Sequence, residues 1–391
     1  MSSRRLKNGY FALEALNSFT TVYYLYYVYF FMQTTFGFGN KANLLLAALN
    51  GAIYAVMAWQ GGKFAQRFGY FTALKVGFGI MTGALAVGSQ LHTASGHILV
   101  LAVTVAGVCF TWPSLEALVS EGEEPAALPR VVGVYNIVWA ATAALAYFTG
   151  GAIVEKLGWR SLFYIPVAIL LCQLGLTLWL ESQARQAARV IEATSPVPLP
   201  DPQRRPAART KLFLRLAWLA NPFAYIAINT FIAVMPGVAR RLELSTMMAG
   251  FCCSFWCFAR LGAFFVLWRW DGWHYRVRWL LIAYLALVGA FAAILMAPSL
   301  AVIIVAQLVF GGAVGLIYYS SLFYSMDLGD TKGEHGGLHE AAIGLGNFAG
   351  PAVGAASLHF LPQYANSGAL AVSGLLLLGL GGLLAIWRKG T

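Results

Sequence analysis

Gly62-Lys63-Phe64-Ala65-Gln66-Arg67-Phe68-Gly69 lies between two long apolar runs, 44–59 and 76–91. A basic stretch framed by glycines, set between two runs of that length, has a direct physical reading. Glycine lets the chain turn and lets two helices approach, while lysine and arginine hold the turn in water on the cytoplasmic side of a bilayer. Gly62, Gln66, Arg67 and Gly69 are therefore expected to form a gating hinge between two transmembrane helices.

The rest of the chain is built the same way. It is 59% hydrophobic and 10% charged, with a mean hydropathy of +0.69, too little charge to cover a soluble surface. A bilayer core asks for about 20 apolar residues per helix. Such runs cover 10–36, 44–59, 74–91, 98–119, 131–154 and 162–180, then 212–235, 247–268, 279–296, 300–325, 338–360 and 368–387. The expectation is an all-α polytopic membrane protein with twelve transmembrane helices, its lipid bilayer being its constant partner.

The net charge of +11 could suggest nucleic acid, but the charge follows topology instead. Twenty of the 26 basic residues fall in segments on one side, if both ends lie on that side, and five on the other. That asymmetry places both termini in the cytoplasm of a plasma (inner) membrane protein and removes the case for a nucleic-acid partner. The N-terminal apolar run carries Glu14 and no small-residue cleavage site, so it reads as a retained helix. Cys109, Cys172, Cys252, Cys253 and Cys257 all sit in apolar runs without metal-ligand spacing, and neither a metal nor a cofactor is expected. There is no phosphate-cradling loop, nucleophile elbow or His-Glu-x-x-His pattern, so an enzyme is not expected.

Residues 182–211 break the apolar pattern, with Pro196, Pro198, Pro200, Pro202 and Pro206 among arginines. This reads as a solvated linker joining 1–181 to 212–391, six spans on each side. Corresponding spans recur at an offset of about 200 residues, the mark of two parallel, pseudo-symmetric six-helix bundles. The 62–69 stretch resembles the best-known signature of the major facilitator superfamily of transporters. It departs from it in having Gln66 where aspartate is usual and Tyr70-Phe71-Thr72 where a basic cluster is usual. Gly150-Gly151 followed by Gly158-Trp159-Arg160 looks like that family's junction between the fifth and sixth helices. Gly346-Asn347-Phe-Ala-Gly350-Pro351-Ala-Val-Gly354 resembles its antiporter motif, although it stands in the eleventh span and not the fifth. The resemblance implies a monomer working by alternating access, without naming a substrate.

Charges inside spans are expensive and mark function by default. Glu14 begins a polar stripe with Asn17, Thr21 and Tyr24 at helical spacing, which reads as cavity lining or as a carboxylate snorkelling to water. Glu116 follows Pro113 in the fourth span and could share a proton with Glu14, or serve a gate. His339 and Glu340 suit proton coupling, or a cap where the eleventh helix begins after 333–337. Arg260 needs a carboxylate within its own half or an anionic substrate group. Asn221, Tyr225 and Asn229 on the seventh span, Gln307 and Tyr318 on the tenth and Asn136 on the fifth could bind a polar ligand or bond between helices. Tyr24 or Tyr27 could stack on a ring, or simply pack.

The expected function is secondary transport of a small polar organic solute, with protons as the candidate coupling ion. Export of amphipathic compounds is one alternative. A transporter-like sensor or scaffold without transport is another.

Overall fold

The computed structural model describes residues 3–123, 127–192, 208–297, 299–327 and 333–390. Among these there is no strand. Thirteen α-helices and one short 3-10 turn account for nearly everything. In lipid every backbone N–H and C=O needs an internal partner, and apolar segments of this length satisfy that only as helices.

In the first half the helices are α1 (Ser3–Phe36), α2 (Asn40–Phe68), α3 (Tyr70–Gly88), α4 (Ala94–Ser120), α5 (Leu128–Leu157) and α6 (Ser161–Glu192). The second half holds α7 (Ala208–Arg241), α8 (Thr246–Cys253), α9 (Phe255–Arg269), α10 (Val277–Met296), α11 (Leu300–Asp327), α12 (Gly333–Phe360) and α13 (Ser367–Gly390). The eighth span is thus two helices, α8 and α9, broken at Ser254. Among the described residues, eleven spans are long and apolar enough to cross a bilayer on length and composition alone. Helix α1 has the length, but Tyr23, Tyr24, Tyr26, Tyr27 and Tyr29, which step around it, and the polar Glu14, Asn17 and Thr21 lower its hydropathy. An even number of crossings puts both chain ends on one face, here the terminal face; the other is the distal face.

Three local expectations are corrected. The predicted hinge is not a loop: α2 stays helical through Gln66 and Arg67 to Phe68, and α3 begins at Tyr70. Lys, Ala, Gln and Arg are good helix formers, and only Gly69, at φ 90°, leaves the helical region. Gly62 is buried inside α2, and Gly61 is the glycine pressed onto the Cys109 carbonyl of α4. The glycine-rich stretch 333–337 is the first part of α12, which places His339 and Glu340 beyond any capping position. Helix α6 runs on to Glu192 and α7 starts at Ala208, so both enter the predicted linker, whose prolines at 196–206 lie outside the described residues.

The halves meet chiefly where α2 packs against α12 and where α5 packs against α8 and α9. Small residues allow the approach. Gly51 on α2 lies under the backbone of Asn347 and Phe348, and Gly344 on α12 faces the backbone of Ala55. Gly151 meets the Thr246 carbonyl, and nearby the Glu155 carboxylate accepts the Met247 N–H at 2.8 Å. The antiporter-like glycines have a packing role as well: Gly346 and Gly350 sit on the Pro222 and Ile226 carbonyls of α7. A methyl group at Gly51 would collide with rigid backbone, so Gly51→Ala is expected to cost about 1–3 kcal/mol, the usual range for overpacking. Gly374→Ala, with open space around it, should be neutral. Equal melting temperatures of the two purified variants would contradict this interface.

Candidate functional site

Between the halves lies a cavity with about 920 Å³ of space between its atoms, part of it continuous with solvent. That suits a small organic molecule rather than a polymer. Helix α1 contributes Ser18, Thr21, Val22, Leu25 and Tyr26, and α2 contributes Asn50 and Tyr54. Trp112 and Glu116 come from α4, Tyr135 and Trp139 from α5. The second half supplies Tyr225, Asn229 and two isoleucines from α7 and Arg260 from α9. Tyr318 on α11 and Glu340, Ile343 and Asn347 on α12 complete the wall.

Each ionisable group has a distinct setting. Glu14 is fully buried behind the wall, where it accepts the Ser18 hydroxyl at 2.6 Å and the Tyr135 hydroxyl at 3.3 Å. Because Tyr135 also lines the cavity, it links Glu14 to that space. Glu340 accepts the Tyr54 hydroxyl at 2.5 Å, a bond that crosses from one half to the other. Glu116 faces the same space from the first half. Arg260 lies over two indole rings, 4.5 Å from the centroid of Trp139 and 4.8 Å from that of Trp256. The Asn229 side chain donates to its own turn at Tyr225 O, 3.4 Å, and to Asn347 Oδ1 on α12.

The candidates from the sequence divide accordingly. Glu116, Glu340, Thr21, Tyr225, Asn229, Arg260 and Tyr318 come together around one cavity. Asn17, Tyr24, Asn136, Asn221, Gln307 and His339 are buried beside it and do not line it. Asn136 accepts the Trp139 indole N–H at 3.0 Å and so fixes that ring. Gln307 donates to Cys252 O at 2.8 Å, next to the break at Ser254. Tyr24 packs on Phe163 inside the first half, with ring centroids 6.1 Å apart, and His339 lies 6.3 Å from Tyr318. Gln66 and Arg67 are exposed at the end of α2.

The difference on α1 is one of phase. The stripe at 14, 17, 21 and 24 drifts off the face actually presented, which runs through 18, 21, 22, 25 and 26, so Tyr26 rather than Tyr24 reaches the cavity. Sequence reasoning also missed Asn50, Tyr54 and Tyr135. Tyrosines are common in this chain, and only the pairing of Tyr54 and Tyr135 with acids on other helices singles them out.

Two helical halves packed around a cavity lined by apolar and aromatic side chains, with a few charged and amide groups among them, make up the framework of a membrane transport protein. Residues 11–351 match the family model of the Major Facilitator Superfamily, and the chain belongs to that superfamily. Its fold is similar to the nucleoside transporter NupG, with a TM-score of 0.68, 15% identity and coverage of 98% of this chain and 99% of the other. It is also similar to a structure described as giving insight into substrate recognition in proton dependent oligopeptide transporters, with a TM-score of 0.69, 16% identity and full coverage of both chains. The human organic anion transporter MFSD10 (TETRAN) gives a TM-score of 0.67 at 16% identity, over 98% of this chain and all of the other. At these identities the likeness is one of fold. The Methylenomycin A resistance protein of Bacillus subtilis (strain 168) is 31% identical over 121 residues, covering 30% of this chain and 25% of that protein. The chain is an integral membrane protein of a transporter family.

Proposed function

We propose that the protein is a secondary transporter that carries a small polar organic solute together with protons, by alternating access of the central cavity. The observation that carries this reading is that Glu116 and Glu340, one from each half, line a single cavity, with Glu14 joined to it through Tyr135. A carboxylate that loads and releases a proton in a cavity shared by both halves is placed to couple that proton to their relative motion. The proton, like the solute, is then a partner of the site. The charge asymmetry supports both termini in the cytoplasm, with the terminal face inward.

The test is solute-dependent proton movement in proteoliposomes carrying an internal pH-sensitive dye, with protein-free vesicles as the blank. A panel of amino acids, nucleosides, sugars and aromatic carboxylates is the starting set. Uptake accompanied by proton entry supports symport. Uptake without proton movement would replace coupling by facilitated diffusion, and saturable binding without uptake would favour a sensor.

A second reading, export of amphipathic compounds in exchange for protons, is supported by the aromatic rings around the cavity and by the partial likeness to a resistance protein. The same assay separates it, because proton and solute then move in opposite directions.

A further inference from the structure

The cavity's charged groups are not equally provided for. Glu14 and Glu340 receive hydroxyl donors. Arg260 meets no carboxylate among the described residues, only the neutral Tyr26 hydroxyl. It is 3% exposed, its Nε and Nη2 are buried without hydrogen-bond partners, and among the described residues it joins no ion pair. The alternative left open by the sequence, an ion pair within its own half, is therefore not made among those residues. What holds the guanidinium is aromatic: Trp256 one turn earlier on α9 and Trp139 from the other half. Such contacts steady a cation without cancelling its charge, and a buried charge without a counter-ion is strongly unfavourable. Nε and Nη2 form one edge of the guanidinium, where two N–H bonds run side by side in the fork that fits a carboxylate. Around it the walls are apolar or aromatic, with Leu25, Tyr26, Ile228, Ile232 and Tyr318.

The geometry points to Arg260 as the receptor for a substrate anion, and to a transported solute that is a small organic monoanion, a carboxylate on a ring-sized apolar body. This rests on the reading of the cavity as the transport site. Charge balance favours it as well. With protons on Glu14, Glu116 and Glu340, a carboxylate on Arg260 leaves the cavity near neutrality, and neutrality eases passage through a low-dielectric interior.

The test uses purified full-length protein and its intrinsic tryptophan fluorescence, since Trp139 and Trp256 flank the guanidinium. The probes are 3-phenylpropionate, its neutral amide, phenethylamine and phenylalanine. The acid is expected to give saturable quenching and to bind at least about tenfold more tightly than the amide or the amine, the discrimination expected of a charged, bidentate contact. Arg260→Gln should lose that preference. Arg260→Lys, which keeps the charge without the fork, should weaken binding while preserving the melting temperature, and it is the variant to read if Arg260→Gln does not fold. Equal binding of acid and amide, wild-type binding by either Arg260 variant, or no saturable response to any of the four probes would overturn the assignment. Tighter binding of phenylalanine, with the advantage lost in Glu116→Gln, would overturn the monoanion in favour of an amphoteric solute. Failure here is distinct from failure of the transport reading. Proton-coupled uptake of a neutral or cationic solute, indifferent to Arg260, leaves transport standing, whereas a bound acid that shows no counterflow in proteoliposomes leaves the anion site standing and removes transport.

Discussion

Glu116→Gln is expected to abolish uphill accumulation of solute while leaving downhill exchange intact. Glutamine keeps the shape of the side chain and much of its hydrogen bonding, but it has no proton to load and release. A pH difference of one unit is worth about 1.4 kcal/mol per proton, enough for about tenfold accumulation of an electroneutral one-proton cargo. The wild-type protein should reach that ratio when the side from which solute is taken is the more acidic, and the variant should stop at equality. Glu340→Gln is expected to act similarly and also to weaken the Tyr54 bond that joins the halves. The measurement is the steady-state solute ratio in proteoliposomes with and without the imposed gradient, at matched protein incorporation. If both variants still concentrate solute in response to the gradient, neither carboxylate is the coupling group.

A disulfide across the distal face should stop transport completely and reversibly. A Cβ at Gly237 would run into the Asn40 side chain, so cysteines at these two positions have their β-carbons within bonding reach. Leu44 against Gly354 and Gly151 against Thr246 lie along the same seam. Alternating access requires this seam to part during each cycle. In a background with the exposed Cys172 replaced by serine, oxidised Asn40→Cys/Gly237→Cys protein should be inactive, and a reductant should restore it. Transport at the normal rate with the cross-link formed would mean that solute does not cross the distal face by opening of this seam.

The fold class could be read from the sequence because it depends on long-range averages, the length and apolar content of each span. The site was legible only in part. Residues such as Glu116, Arg260 and Glu340 stand out because a charge in an apolar run is costly wherever it points. Neutral residues such as Asn17, Tyr24 and Asn221 carried no such signal of direction, and a small error in helical phase turned them inward, beside the cavity. The break at Ser254 and the helical course of 62–68 were hidden for a related reason. Ser254 is an ordinary residue in an apolar run, and Lys63, Gln66 and Arg67 favour helix as readily as they favour water. Tyr54 gains its role only from Glu340, which lies 286 residues away in the chain.

The central claim is that one cavity is open in turn to each side of the membrane, and the accessibility of Thr21 tests it without knowledge of the solute. In vesicles of defined orientation, a cysteine at Thr21, in the Cys172→Ser background, is treated with a membrane-impermeant thiol reagent from either side. Alternating access predicts alkylation from both sides. It also predicts that the oxidised Asn40→Cys/Gly237→Cys pair removes distal labelling and spares labelling from the terminal side. Alkylation from one side only, whatever solute, pH or cross-link is imposed, would contradict the account.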